Sequence, residues 1–560
     1  MSQPKLPPFL LLLLPVLLIA LGAAVFTQTL QFGFTNLDDN IYVVDNAALE
    51  QGLSADGIRW AFTNREANLW MPVTWLSFLA DRQFHGPDAR GFHLTNVLLH
   101  LASTVLLLLV LRRWTGTLWR AAFVAALFAI HPLHVESVAW VAERKDVLSG
   151  FFFLLALQVY LGRGGPLTWP RYAGTLLLFA LAMMAKPMTV TLPVVLLLID
   201  FSDPGERRPL MRLLLEKIPF VLLAAAMSVA TYLIVQTREI GAPDPIPLFE
   251  RIGQAIAFYA LYLGRMFYPV GLSVFYPPEG LLFEWTRIAV WALLLVSLTG
   301  AGWQFRNRLR FVWLGWLWYL AMLLPVVGLV QGGMQLMSDR YFYLPSIGLF
   351  VALAWLLDEA VRQRSWLRWP VVALTVAAVL AGAALAHRQT AVWRDSGTLF
   401  RHALAVNEEN YLAHLNLGVM LDDAGRSLEA LPHLRRAVEL RRDAVHQFNL
   451  ANALFKLERT AEAAVHFRGA VKQQPEFPEA HNNLGIALAR MGDLSAARSH
   501  FETAIEQQPD YAGAWYNLGL VQLRQGQTSA AAASFRRTVQ LEPGHLGARQ
   551  RLDSLQVGGN

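Results

Sequence analysis

The feature that most constrains this sequence is a succession of apolar blocks across residues 1–390, many of them long enough to cross a bilayer. Lipid offers no water to an unpaired backbone N–H or C=O, so a chain with many such blocks must cross as helices. A span needs about 20 apolar residues, and 8–27 is the first such block. Lys5 could be the n-region of a signal peptide, but Thr27-Gln28-Thr29 is a poor small-residue cleavage site, so the block reads as a retained helix leaving the cytoplasm. The 560 residues are 55% hydrophobic and 16% charged, which excludes an ordinary water-soluble protein of this size. The net charge of +6 does not point to nucleic acid, because the arginines cluster in short loops between blocks, the mark of the cytoplasmic side. Without cysteine there is no disulfide, thiolate nucleophile or Cys-ligated metal.

Residues 28–92 read as a long outer loop with interfacial helices, given Trp60, Trp70 and Trp75. Spans are expected at 93–111, 120–138 and 147–162, with Arg112, Arg113, Arg120, Arg163 and Arg171 inside and His131 to Asp146 outside. Residues 171–200, broken at Lys186-Pro187, form either a hairpin or one kinked helix. Glu206-Arg207-Arg208 and Arg212 on the inner side favour the hairpin. After a span at 218–236, residues 252–270 either cross or lie on the outer surface. Hairpin plus surface helix, or single helix plus span, each gives about eleven crossings and the same final orientation. Arg306, Arg308, Arg310, Arg362, Arg364 and Arg368 fall inside, and Gln331 to Tyr343 outside. The last span, 370–387, delivers the rest of the chain to the outer side.

From residue 411 a unit recurs about every 34 residues. Leu417-Gly418, Leu450-Ala451, Leu484-Gly485 and Leu518-Gly519 open it. Ala430, Ala463, Ala497 and Ala531 let two helices approach, and Leu434, Phe467, Phe501 and Phe535 fill the gap. The pattern resembles tetratricopeptide repeats. A half repeat at 395–409 precedes repeats at 411–443, 444–477, 478–511 and 512–545, and 546–556 reads as a cap helix. The expected architecture is all-α: a polytopic helix bundle over 1–390 and a repeat solenoid over 391–560, whose concave face suits a protein or peptide.

Ionisable groups at membrane depth or span ends are functional candidates, and several share the outer side here. Asp38-Asp39 could cap or turn a loop, or supply a general base. His131, His134 and Glu136, continuing to Arg144, Lys145 and Asp146, lack a clear third metal ligand and read as a hydrogen-bonding and cationic cluster. Lys186 interrupts an apolar block and suits an anion. Asp339, Arg340, Tyr341 and Tyr343 open a span as an interface anchor or as part of a site. His93 and Asn96 form a lesser group. A base on an acceptor hydroxyl and cations on a leaving phosphate fit one chemistry, and the absence of a Gly-rich nucleotide loop argues for a lipid-linked donor.

In order, these motifs are an Asp-Asp loop, Phe92-His93 with Asn96, His131-Pro132-Leu133-His134-Val135-Glu136-Ser137-Val138-Ala139-Trp140, Glu143-Arg144-Lys145-Asp146, Ala185-Lys186-Pro187-Met188, and Asp339-Arg340-Tyr341-Phe342-Tyr343-Leu344-Pro345, followed by the repeats. The set resembles the transmembrane-and-tetratricopeptide-repeat O-mannosyltransferases, in particular their bacterial relatives. The resemblance implies a C-type glycosyltransferase fold. The reaction is read as inverting and metal-independent, and no cofactor is expected. It implies Asp38 or Asp39 as the base. Glu136, Arg144, Asp146, Lys186 and Arg340 would shape the donor-phosphate pocket, with His131, His134, Lys145, Asp339, Tyr341 and Tyr343 beside them and His93 and Asn96 in support. The expected function is sugar transfer, of mannose by the resemblance, from a polyprenyl phosphate to a protein or glycan hydroxyl on the periplasmic side of a bacterial inner membrane. The rivals are a membrane-anchored repeat scaffold, against which a bundle of this size argues, and a transporter, which needs polar groups in both leaflets.

Overall fold

The structure is a computed structural model and describes residues 8–64, 70–162, 167–202, 209–236, 247–276, 284–329 and 337–557. Lys5, Arg163, Glu206, Arg207, Arg208 and Gln331, used above to orient the chain, lie outside the described residues. The described chain is helical with no strand, and divides into two compact units, Met1–His402 and Ala403–Asn560.

The first unit runs α1 (Pro8–Phe26), α2 (Ala55–Thr63), α3 (Pro72–His85), α4 (Ala89–Thr115), α5 (Leu118–Ile130), α6 (Val135–Ala139), α7 (Arg144–Leu161) and α8 (Trp169–Ala185). It continues with α9 (Leu192–Phe201), α10 (Leu210–Gln236), α11 (Leu248–Phe267), α12 (Trp285–Gln304), α13 (Arg310–Leu323), α14 (Pro345–Gln363), α15 (Arg368–Ala391) and the start of α16 (Ser396–Val406). One end of this bundle is arginine-rich. There Arg120 pairs with Asp358 at 2.6 Å, Arg308 with Glu359 at 3.1 Å and Lys217 with Asp200 at 2.6 Å. The opposite end gathers the C-termini of α1, α5, α8, α13 and α15 and the N-termini of α4, α7, α9 and α14.

Both open questions about topology have a geometric answer. Lys186, after α8, pairs with Asp146 in the first turn of α7, whereas Asp200, in the last turn of α9, accepts the Tyr160 hydroxyl at 2.8 Å near the other end of α7. The chain therefore climbs to Lys186 and returns, a hairpin broken where Pro187 cannot continue the helix. Helix α11 lies across helix ends. Along its length Arg251, Tyr259, Tyr262 and Arg265 bond Leu329 O, Leu320 O, Ser338 O and Asp339, all in the last turn of α13 or the segment that follows. The span expected at 120–138 is shorter than the sequence implied. Helix α5 stops at Ile130, and the chain bends by 56° into Pro132–Ala139, because Pro132 removes a donor from the ladder.

Among the described residues, five helices are long and apolar enough by themselves to cross a membrane, or six if the bent pair is one span. The remainder of the expected crossings fall on short helices, such as α5, α9 and α13, and on helices whose ends carry the charged residues of the polar end.

The second unit is a series of antiparallel pairs: α17 (Tyr411–Asp423) with α18 (Ser427–Leu440), α19 (Ala444–Lys456) with α20 (Thr460–Gln473), α21 (Pro478–Arg490) with α22 (Leu494–Gln507), and α23 (Ala512–Arg524) with α24 (Thr528–Leu541). Helix α25 (Leu546–Val557) ends it. Ala430, Ala463, Ala497 and Ala531 are fully buried, as helix approach requires. At Gly485 an added Cβ would come within 2.7 Å of the Phe501 ring. Gly485→Val is therefore expected to destabilise this unit by about 1–3 kcal/mol, the usual range for overpacking, read from the denaturant midpoint of the repeat transition.

Candidate active site

Four segments meet at the polar end: the loop after α1, the stretch from His131 to Asp146, the break at Lys186, and Ser338–Tyr343. In the first, the two neighbouring aspartates have different surroundings. Asp39 is buried and fully engaged. The Thr35 N–H and hydroxyl donate to Oδ2 at 2.8 and 2.9 Å, and the Ala142 N–H donates to Oδ1 at 2.8 Å. Burial, the largest influence, raises its pKa to about 6 against these hydrogen bonds, which favour the charged form. Asp39 thus ties the first segment to the second. Asp38 is half-buried, its carboxylate accepts no hydrogen bond from any described residue, and it lies within electrostatic reach of Lys145 and Tyr42.

Beside it, three cations converge on one carboxylate. Glu143 meets Lys145 Nζ at 3.3 Å, Lys186 Nζ at 3.2 Å and Arg340 Nε at 3.1 Å. Burial pushes Glu143 up, but Lys145, Lys186 and Arg340 outweigh it and hold the group below the usual carboxylate range. Each cation has a further partner. Lys186 also pairs with Asp146 at 2.5 Å, and Arg340 pairs with Glu136 through its guanidinium and, at 3.2 Å, its backbone N–H. Lys145 lies over the Tyr42 ring, Lys186 over Tyr341, and Arg340 over Trp140 and Tyr341. Asp339 is held by Arg265 at 3.1 Å and by the Tyr276 hydroxyl at 2.9 Å, and its pKa is nevertheless raised to about 6, chiefly by burial. The result is a buried, charge-matched cradle of three cations, next to a carboxylate that no described residue engages.

The sequence-predicted residues separate into two sets. Asp38, Asp39, Glu136, Lys145, Asp146, Lys186, Asp339, Arg340 and Tyr341 come together. His131, His134, Arg144, Tyr343, His93 and Asn96, expected at or behind the substrate, are instead committed to other partners. His131 donates to Met266 O at 3.1 Å and accepts from the Leu133 N–H at 3.3 Å. His134 sits between Phe128 O and Ser346 Oγ, and the Tyr343 hydroxyl meets His100 Nδ1 at 2.9 Å. Arg144 is buried away from the cradle. Its guanidinium pairs with Asp81 at 2.6 Å and also bonds Phe92 O, Asn96 Oδ1 and Ser77 Oγ. Asn96 in turn donates to Val138 O and Trp140 O, and His93 to Gly33 O. These residues hold the segments in place. Among the described residues no three His, Asp or Glu groups are arranged to hold a metal.

Glu143, Trp140, Tyr42, Asp81, Arg265 and Tyr276 were not assigned a role from the sequence. Glu143 and Trp140 stood inside the recognised motifs, so a signal existed. Arg265 and Tyr276 lie on and just after α11, with no local pattern to single them out.

Comparison with known proteins agrees with this organisation. A tetratricopeptide repeat family model matches residues 382–445 and 484–545, and a TPR repeat model matches 451–492. Of solved structures, YrrB, described as a TPR protein with an unusual peptide-binding site, is 20% identical over 35% of this chain and 96% of its own, with a TM-score of 0.26. Protein O-mannosyl-transferase Tmtc3 of Drosophila melanogaster is 25% identical over 73% of this chain and 52% of its own length. Human protein O-mannosyl-transferase TMTC3 is 24% identical over 82% of this chain and 55% of its own. The mouse TMTC4 transferase is 26% identical over 67% and 58%. The chain spans about half the length of the curated relatives it matches. Over most of its length, then, the chain is similar to the transmembrane and tetratricopeptide-repeat protein O-mannosyl-transferases.

Proposed function

We propose that this chain is an integral membrane glycosyltransferase of the inverting C-type, passing a sugar, mannose by analogy with its relatives, from a polyprenyl phosphate to a hydroxyl of a protein or glycan. The observation that carries this reading is the three-cation cradle of Lys145, Lys186 and Arg340 beside Asp38, whose carboxylate accepts no hydrogen bond from any described residue. Asp38 takes the proton of the acceptor hydroxyl. The acceptor oxygen bonds to the sugar C1 as the bond from C1 to the phosphate oxygen breaks, and the polyprenyl phosphate leaves with the electron pair. Lys186, Arg340 and Lys145 hold the charge that grows on that phosphate. Attack opposite the leaving group inverts the anomeric carbon.

The arginine-rich end supports a cytoplasmic assignment for that face, with the cradle and the C-terminal repeats on the extracytoplasmic side, which in a bacterium is the periplasm. The repeats recruit a protein or peptide acceptor or partner. A cavity of about 280 Å³ lined by Asp422, Asp423, Asn449, Asn452, Lys456 and Asn483 offers polar groups for one.

Purified protein in lipid nanodiscs, given undecaprenyl-phosphate mannose and a hydroxyl-bearing peptide, should yield a mannosylated peptide with inverted anomeric configuration. Lys186→Met should lower turnover by about 10²–10³-fold, the usual cost of removing one group that stabilises a developing oxyanion. Transfer from a soluble nucleotide sugar with no lipid carrier, or full activity in the Lys186 variant, would overturn the assignment.

A further inference from the structure

The short loop that carries Asp38 is anchored from a part of the chain far away in sequence. Its start is fixed on both sides. The Gly33 carbonyl accepts from His93, and the Gly33 N–H donates to Arg394 O at 3.4 Å. Two residues before Asp38, the Asn36 N–H donates to Ser396 Oγ at 2.7 Å. Asp39, one residue after, is tied to Ala142. Asp38 therefore stands between clamped points, and one of them is a side-chain hydroxyl in the segment that follows α15. That segment has a second contact with the site. Trp393 is buried and stacks on Trp140 at 5.5 Å and 27°, and Trp140 has the Arg340 guanidinium over its ring at 5.4 Å. The same four residues, 393–396, thus touch the base loop directly and the cradle through one aromatic ring. The segment is itself stiff, because Asp395 caps α16 by accepting from the Thr398 N–H at 2.7 Å and hydroxyl at 2.9 Å.

We infer that Ser396 and Trp393 are positioning residues for the transfer reaction, Ser396 fixing the loop that carries Asp38 and Trp393 supporting Arg340 through Trp140. The inference rests on the reading of Asp38 as base and Arg340 as a phosphate ligand. A base must stand within hydrogen-bond reach of the proton it removes, so a loop free to drift loses rate rather than donor affinity. An aromatic support behind a phosphate-binding guanidinium acts on donor binding instead. The two residues therefore have different kinetic signatures.

The test uses the full chain in nanodiscs with undecaprenyl-phosphate mannose as probe, read by turnover and by hydrogen–deuterium exchange of residues 33–40. Ser396→Ala should raise exchange of the Asn36 amide and its neighbours by about fivefold to tenfold, the weight of one partly buried hydrogen bond. It should lower kcat by a similar factor and leave the donor KM unchanged, and Ser396→Thr, which keeps the hydroxyl, should restore both. Trp393→Leu should raise the donor KM. Unaltered exchange in the Ser396→Ala protein, a KM effect in place of a kcat effect, or no rescue by threonine would overturn the role of Ser396. An unchanged donor KM would overturn that of Trp393. Asp38→Asn separates the two levels. Turnover equal to wild type would sink the functional reading, and the exchange data would still decide whether Ser396 anchors the loop.

Discussion

Asp38→Asn is expected to lower sugar transfer by about 10²–10⁴-fold, the range that a positioned general base contributes, with donor affinity and folding unchanged. Asp38 is the aspartate whose carboxylate no described residue engages, so an amide there breaks nothing in the free protein. Asp39→Asn should behave differently. Both of its oxygens accept hydrogen bonds, from Thr35 and from Ala142, and an amide nitrogen in place of either oxygen would face an N–H donor. The expected cost is about 1–3 kcal/mol of local stability, the penalty for a mismatched buried hydrogen-bonding group, and a smaller, indirect loss of rate. Parallel measurement of turnover and thermal unfolding decides between the two. If the Asp39 variant loses rate with full stability and the Asp38 variant keeps its rate, the roles are reversed.

Replacement of Arg144 by methionine is expected to destabilise the first unit by about 3–5 kcal/mol, because it leaves the buried Asp81 charge without a counter-ion, with only the Thr95 hydroxyl, at 2.7 Å, still donating to it. The thermal transition of the membrane unit in detergent should fall accordingly, and Asp81→Asn in the same protein should recover part of the loss. Removing the charge of both partners no longer leaves an uncompensated ion in the interior. The effect arises from packing between α3, α4 and α7 and not from the reaction, since four of the five guanidinium N–H groups donate to Asp81, Phe92 O, Asn96 and Ser77. A stable Arg144 variant that fails to bind the lipid-phosphate donor would return this residue to the substrate pocket.

Arg144 and Lys145 illustrate where the sequence stops being informative. They are adjacent in one charged run, and by composition either could hold a phosphate. On a helix, however, neighbours point about 100° apart, so the first turn of α7 sends Arg144 towards Asp81 and Lys145 towards Tyr42 and Glu143. The same holds for Asp38 and Asp39, equivalent on paper and opposite in environment. It holds also for the histidine motif, which by its residues belongs beside the substrate, whereas its rings hydrogen-bond Phe128 O, Met266 O and Ser346 Oγ.

What the sequence determined by itself was whatever depends on local period and transfer energy. Apolar blocks in lipid can only be helices, arginines between blocks mark one face, and a recurring Leu-Gly, Ala and Phe spacing forces paired helices. These rules act within a few turns of chain, so they are legible one segment at a time. What only the tertiary structure decided was pairing between segments far apart: Glu143 as the shared partner of Lys145, Lys186 and Arg340, the hairpin at Lys186, and Ser396 reaching back to Asn36. Such contacts depend on where helices end in space, and a buried charge is tolerated only where a partner from another segment arrives to meet it.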